Sequence, residues 1–300
     1  MMEVSEKISR MLSFNNILER KINEVTHPIF HYCSIESFLH ILASGEMWAS
    51  HFQSMNDYLE GRMFHQLLTR ESINYTSNIR YPVIQQFIAN WELNIKDYYI
   101  CCFSKKPDIL SQWYMYADEG RGVCIGFLPE SFNAKTQIPH YNLLSGKNYG
   151  IFPVMYHSDS EIESAKLFLD LIVDGTLDDI PPRVDEFSIG VKHRGFSQEE
   201  EIRIVEIQDF RMNTDPDANG LRTRYTGDHY EFRVKNRNSI TSYRKFPFKN
   251  HNGEICLHSI WIGPECQLKL NQLSLLLNRY RCTLDKGIYY SDSPFTKGNT

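Results

Sequence analysis

The sequence predicts an α+β protein, a mixed β-sheet core with helices around it. Strand-like runs of β-branched and aromatic residues recur along the chain, among them Tyr98-Tyr99-Ile100-Cys101-Cys102-Phe103, Val123-Cys124-Ile125-Gly126-Phe127 and Ile255-Cys256-Leu257-His258-Ser259-Ile260-Trp261-Ile262. Between such runs lie stretches whose apolar residues fall at helical spacing, such as Ile162, Ala165, Leu167, Phe168, Leu171 and Ile172. The composition, 300 residues with 42% hydrophobic and 23% charged, is that of an ordinary globular chain with ample material for a core.

Taken in order, Ser5 to Val25 carries apolar residues at approximately helical spacing and ends at His27-Pro28, because the residue before proline avoids the helical region. Residues 1–28 are therefore expected to be an N-terminal helical segment, and 29–295 a single α+β domain. Ile29 to Cys33 is a short strand. Ser34 then caps a helix whose face is Phe38, Leu39, Ile41 and Leu42 and whose stop is Gly45. Met47 to Ser50 is a second strand. Asn56 or Asp57 is expected to cap a helix from Tyr58 to Arg70, with Glu60 an acid beyond what capping needs. Pro82 to Leu93 reads as a helix and Tyr98 to Ser104 as a buried strand. Asp108 to Tyr116 reads as a short helix exposing Trp113 and Tyr116, which are either core aromatics or an aromatic wall over a cleft. Gly120-Arg121-Gly122 is too short for a phosphate-cradling loop and reads as a turn. After a turn-rich stretch come a strand at 151–156, a helix at 160–173 and a loop at 174–182. Late in the chain, strand 255–262 is followed by helix 268–280, a last strand at 287–291 and a frayed tail after Pro294.

Two local patterns carry chemistry. Glu199-Glu200-Glu201 runs directly into Ile202-Arg203-Ile204-Val205-Glu206-Ile207, so three carboxylates sit at the mouth of a strand with at least one buried face. Residues two apart on a strand point the same way. Glu199 and Glu201 would thus face one side, able to polarise a sugar hydroxyl or shield a developing cation, unless the run is only a solvated acidic turn. Downstream, Arg222, Arg224, Arg233, Lys235, Arg237, Arg244, Lys245 and Lys249 face only two acids, Asp228 and Glu231, and are interleaved with Tyr225, Tyr230, Phe232, Tyr243, Phe246 and Phe248. Bases that hold phosphate and rings that stack are what single-stranded nucleic acid requires. The competing reading is a solvated hairpin with a core-facing aromatic side.

Other classes are disfavoured. The net charge of -5 is not that of a general nucleic-acid binder. No apolar run approaches the roughly 20 residues of a membrane helix, and Met1 to Arg10 is too polar for a signal peptide, so a cytoplasmic protein is expected. Seven cysteines with no C-x-x-C pair fit reduced core thiols, and 11 scattered histidines give no metal motif.

Several pieces together resemble a bacterial family catalogued as a domain of unknown function, number 2971. They are Phe30-His31-Tyr32-Cys33-Ser34; Met47-Trp48-Ala49-Ser50 with Asn56-Asp57 and Glu60; Cys102-Phe103-Ser104; Trp113-x-x-Tyr116-Ala117; and Gly122 to Phe127. Lys192 with Phe196, Glu199-x-Glu201-x-Arg203, Ile260-x-Ile262-Gly263-Pro264 and Ser291-x-Ser293-Pro294 complete the set. Tyr58, where the family often has proline, and the longer basic region after Asp209 depart from it. A weaker resemblance supplies an activity. A His-bearing first strand, an aromatic middle segment and a late Glu opening a strand resemble the ADP-ribosyltransferase plan, which implies a mostly antiparallel split sheet and NAD as co-substrate without a metal.

By that resemblance Glu201, Glu199 and His31 are the catalytic residues, with His31 on a ribose hydroxyl and Glu201 on the 2′-hydroxyl of the nicotinamide ribose. Trp113 or Tyr116 packs on nicotinamide, and Tyr32, Ser34, Asn56 and Ser104 complete the NAD site. Arg203, Arg222, Arg224, Tyr225 and Arg233 hold the acceptor, a nucleic acid with RNA preferred over DNA. The implied role is a toxin or phage-defence effector restrained by a neutralising partner. An NAD glycohydrolase and a non-catalytic nucleic-acid-binding module are the alternatives.

Overall fold

The structure is a computed structural model that describes residues 9, 25–93, 97–137, 139, 149–156, 159–179, 189–208, 213–217, 220–224, 230–236 and 238–294. The expected N-terminal helix, apart from Ser9 and Val25, and the tail after Pro294 lie outside the described residues, as does Tyr225.

The chain runs β1 (Ile29–Cys33), α1 (Ile35–Ser44), β2 (Glu46–His51), α2 (Met63–Ser72), α3 (Tyr81–Leu93), β3 (Asp97–Ser104), α4 (Leu110–Tyr116) and β4 (Val123–Phe127). It continues through β5 (Tyr149–Pro153), β6 (Met155–Tyr156), α5 (Asp159–Val173), α6 (Thr176–Asp179), β7 (Val191–Lys192) and β8 (Glu201–Gln208). Last come β9 (Asn213–Asp217), β10 (Gly220–Arg224), β11 (Glu231–Asn236), β12 (Ser239–Pro247), β13 (Ile255–Ile262), α7 (Leu270–Arg279) and β14 (Cys282–Tyr290).

Ten of these strands form one open sheet in the order β11-β12-β2-β3-β1-β4-β13-β14, with β8 on β3 and β5 on β8. All its pairings are antiparallel except β13 with β14. The protein is thus α+β, as the sequence predicts, and its sheet is mostly antiparallel and open. The middle of the sheet, around β3 and β8, is buried on both faces. Tyr99, Cys101, Phe103, Ile202 and Ile204 enter one core with Phe38 and Leu42 of α1 and Leu273 of α7. Tyr98, Ile100, Val205 and Ile207 enter a second with Phe64, Leu67, Ile84 and Phe168 of α2, α3 and α5. That explains why β8 reads as a near-continuous apolar run after its opening acids.

The pairing of β3 positions everything that follows. Along one edge β8 pairs with it throughout, from Asp97↔Gln208 to Ser104↔Glu201. The opposite edge is shared: β2 pairs at Tyr99 and Ile100, and β1 at Ser104. Between those two attachments the sheet forks. The Cys102 carbonyl falls in the fork with no strand to satisfy it, and the His31 imidazole takes it, Nδ1 to O at 3.0 Å.

The capping signals are accurate at α1. Ser34 Oγ accepts from Ser37 N–H at 3.2 Å, and Gly45 closes the helix in the left-handed region at φ 67. Elsewhere the boundaries move. The helix expected from Tyr58 starts at Met63, because Asp57 spends its carboxylate on the Leu59 N–H in a turn rather than on a helix. The strand expected at 151–156 is two short strands, the loop expected at 174–182 contains α6, and the last strand begins at Cys282 rather than Gly287. The Gly120-Arg121-Gly122 turn is a backbone contact: a Cβ on Gly122 would lie 2.1 Å from the Cys33 carbonyl, and the Gly122 carbonyl accepts from Gly263 N–H at 3.0 Å.

Candidate functional site

Two adjoining cavities open at the fork. The first, of about 170 Å³, is bounded by β1, the 54–60 turns, the end of β3, α4 and the start of β8. Among its lining residues are His31, Tyr32, Asn56, Ser104, Tyr116, Glu199 and Glu201. The second, of about 390 Å³, lies among α1, β2, β3 and Arg233. His31, Met55, Cys102 and Tyr116 line both and form their common wall.

The acidic triplet enters the first cavity through a turn. Arg194–Glu199 forms a 3-10 turn, and Glu200 follows in the left-handed region at φ 43. An L-residue there costs about 1–2 kcal/mol, and the reversal aims the flanking side chains at one cation. Lys192 Nζ lies 2.5 Å from Glu199 Oε2 and 3.1 Å from Glu201 Oε2. Glu200 points outward to Lys106. The convergence of Glu199 and Glu201 therefore follows from a turn rather than from strand alternation, since Glu199 precedes β8.

Glu201 is 4% exposed, and its carboxylate is fully engaged. Arg203 donates Nε to Oε1 at 2.7 Å and Nη2 to Oε2 at 3.1 Å, Lys192 takes Oε2, and the Cys102 thiol supplies a further hydrogen bond. Burial opposes ionisation of Glu201, but Arg203 and Lys192 outweigh it and hold the carboxyl down to about 2. Arg203 completes the network with a fork onto Glu60, at 2.6 and 2.8 Å. Burial pushes the Glu60 carboxyl up, only partly offset by Arg203 and aggravated by the neighbouring Glu201 charge. Glu199 differs from Glu201: its Oε1 accepts from Tyr116 Oη at 2.9 Å and its Oε2 from Lys192. A carboxylate offers about four lone-pair sites, so Glu199 keeps open ones on the cavity wall.

His31 is a neutral imidazole. Burial lowers its pKa more than the Cys102 carbonyl raises it. Because a carbonyl only accepts, Nδ1 carries the proton and Nε2 is an acceptor. Burial, then the Glu199 charge, raises the Tyr116 phenol, which stays a donor.

Three expected site residues lie elsewhere. Trp113 is fully buried rather than exposed, edge-on to Tyr32 at 4.9 Å with its indole N–H on Asp108. Of the two aromatic candidates, Tyr116 is the one that reaches the cavities. Ser34 spends its hydroxyl as the α1 cap. Arg203, expected to hold an acceptor, is wholly buried in the Glu60–Glu201 network. The basic aromatic stretch separates in the same way. Tyr243, Phe246 and Phe248 are buried, Arg244 forks onto Glu206, and Lys245 pairs with Glu231. Arg222 and Arg224 lie on the β9–β10 hairpin, and Arg233 on β11 lines the second cavity. Lys192 and Glu60, to which sequence reasoning gave no catalytic role, are central here. A lysine in the short apolar-flanked β7 and an acid beyond the needs of capping were the available signals.

A family model described as "Protein of unknown function (DUF2971)" matches residues 112–204. The matched stretch is less than half of the chain and takes in Tyr116, Lys192, Glu199, Glu201 and Arg203, while His31 and Glu60 lie before it. It supports the resemblance to that family. No curated protein and no solved structure matches the chain. Among the described residues, no helix is long and apolar enough to cross a membrane and no group of His, Cys, Asp and Glu side chains is placed to hold a metal ion.

Proposed function

We propose that the first cavity performs NAD-dependent ADP-ribosyl transfer, with a nucleic acid, RNA in preference to DNA, as acceptor. The observation that carries this reading is the convergence of His31, Tyr116, Glu199 and Glu201 on one cavity at the fork of the sheet. In such a transfer the bond between nicotinamide and ribose C1′ breaks and its electron pair leaves with nicotinamide. The ribose becomes oxocarbenium-like, and an adjacent carboxylate stabilises that charge. The acceptor nucleophile then bonds C1′ and gives up its proton.

The division of labour follows from the free lone pairs. Glu199, with open acceptor sites and Tyr116 and Lys192 fixing its orientation, faces the sugar. Glu201, fully engaged by Arg203, Lys192 and Cys102, is a positioning residue that holds Lys192 against Glu199. Neutral His31 presents Nε2 as acceptor to a ribose hydroxyl at the wall between the cavities. A protein that spends NAD to modify RNA would harm its own cell, which suits a toxin or defence effector held by a neutralising partner.

A second reading, NAD hydrolysis with water as acceptor, is favoured by the pairing of Arg244 and Lys245 with carboxylates, which leaves less free positive charge for a polymer. The test is incubation with NAD labelled in its adenine ring and single-stranded RNA. Wild type is expected to label RNA, and Glu199→Gln to lower the rate about 100-fold or more while the chain stays folded, because Lys192 keeps Glu201 as its partner. Nicotinamide release with no labelled polymer would select the hydrolase. RNA binding without NAD turnover would sink both.

A further inference from the structure

The second cavity is unexplained by the chemistry assigned to the first, and its charge is unusual. On β12 both basic side chains are matched to carboxylates, Arg244 to Glu206 and Lys245 to Glu231. Arg233 is not. Its guanidinium donates Nη2 to Ser50 Oγ at 2.7 Å and lies 5.6 Å from the centre of the Trp48 ring and 5.9 Å from that of Tyr243. The neighbouring acid on the same strand, Glu231, is committed to Lys245 and to the Tyr243 hydroxyl. A guanidinium carries five N–H donors, so most of Arg233's stay open at the cavity rim.

Aromatic contacts fix the plane of the fork, and Ser50 fixes its rotation, which prepares it for a planar or tetrahedral oxyanion. Ser37, His40 and Ser44 also line the cavity, as does one acid, Glu46, whose charge lies near Lys245. Arg233, although exposed, borders a cavity of about 390 Å³ that shares a wall with the first.

The geometry points to a phosphate-recognition subsite in this second cavity, with Arg233 as its cation and the phosphates of a small nucleotide as its ligand. That the other end of the same ligand reaches Glu199 rests on the ADP-ribosyl reading, whereas the phosphate subsite does not. Ser50 acts as a positioning residue, and the Trp48–Tyr243 stack, 4.5 Å between ring centres, is the platform on which the fork is held.

The experiment is calorimetric titration of the full chain with ADP, with nicotinamide and with single-stranded RNA, for wild type, Arg233→Gln and Ser50→Ala. ADP is expected to bind wild type and to lose about tenfold to hundredfold in affinity in Arg233→Gln, the range of a charge-assisted pair. A smaller loss is expected in Ser50→Ala, with nicotinamide affinity unchanged in both variants. Arg233 is exposed on an outer strand, so unchanged urea midpoints are expected. Absence of ADP binding, equal ADP affinity in Arg233→Gln, or an Arg233 effect confined to RNA would overturn the subsite. Arg233-dependent ADP binding without NAD turnover would uphold the subsite and reject the transferase. Glu199-dependent turnover with ADP affinity indifferent to Arg233 would do the reverse.

Discussion

At the residue scale, the buried carboxylates divide by what they touch. Glu201 is spent on holding two cations, while Glu199 holds one and keeps acceptor sites for a ligand. Removing one partner of a buried ionic network leaves uncompensated charge and costs about 3–5 kcal/mol. Glu201→Gln, which strips both Arg203 and Lys192 of a partner, is accordingly expected to lower the urea midpoint markedly, and Glu199→Gln to lower it less while lowering turnover. The sign of the pH effect follows from the depressed carboxyl. Its stabilisation is complete above a glutamate's ordinary value of 4.5 and is lost as pH falls through about 2. Acid titration followed by circular dichroism should show wild type losing about 3 kcal/mol across that window and Glu201→Gln showing a flatter limb. A wild-type limb as flat as the variant's would mean that Arg203 and Lys192 do not hold this carboxyl.

At the scale of elements, the turn that ends in Glu200 is the device that makes the site. Its left-handed backbone joins the 194–199 turn to β8, whose first residue is tied down by Glu201 N–H to Tyr156 Oη at 2.8 Å. Glycine adopts that backbone freely, and the ion pair of Glu200 with Lys106 is at the surface, where it contributes little. Glu200→Gly should therefore leave stability equal or raise it by about 1 kcal/mol, with NAD turnover retained. Lost turnover at unchanged stability would place the Glu200 carboxyl in the chemistry. The same element shows a limit of strand periodicity: alternation predicts the right pair of acids, but one of them lies before the strand, and the backbone reversal that aligns it has no signal in residue type.

At the scale of the whole molecule, the fork in the sheet joins two cavities whose walls come from distant parts of the chain. A ligand spanning both binds only the folded state and stabilises it by mass action. NAD at about 100 times its dissociation constant is expected to add about 2.7 kcal/mol to the unfolding free energy. ADP, filling the second cavity alone, should retain that linkage, and Arg233→Gln should lose most of it. Urea titrations at fixed ligand concentration measure both. A gain from NAD with none from ADP would confine the ligand to the first cavity.

The sequence by itself determined the elements and the chemical inventory. β-branched runs, the Ser34 and Gly45 caps and the acid triplet before β8 are local patterns, and local patterns survive reading in one dimension. His31 became a candidate only through the resemblance to the ADP-ribosyltransferase plan, and Tyr116 only as one of two aromatics, with Trp113. Tertiary structure decided what each side chain is free to do. Arg203 and Glu60, 143 residues apart in sequence, meet in one buried pair, which removes Arg203 from any acceptor site and fills the lone pairs of Glu201. Arg244 and Lys245 lose their availability to Glu206 and Glu231, while Arg233, indistinguishable from them by type, keeps its donors. Charge, capping and hydrophobic period are properties of a residue and its neighbours. A free lone pair is a property of the finished packing.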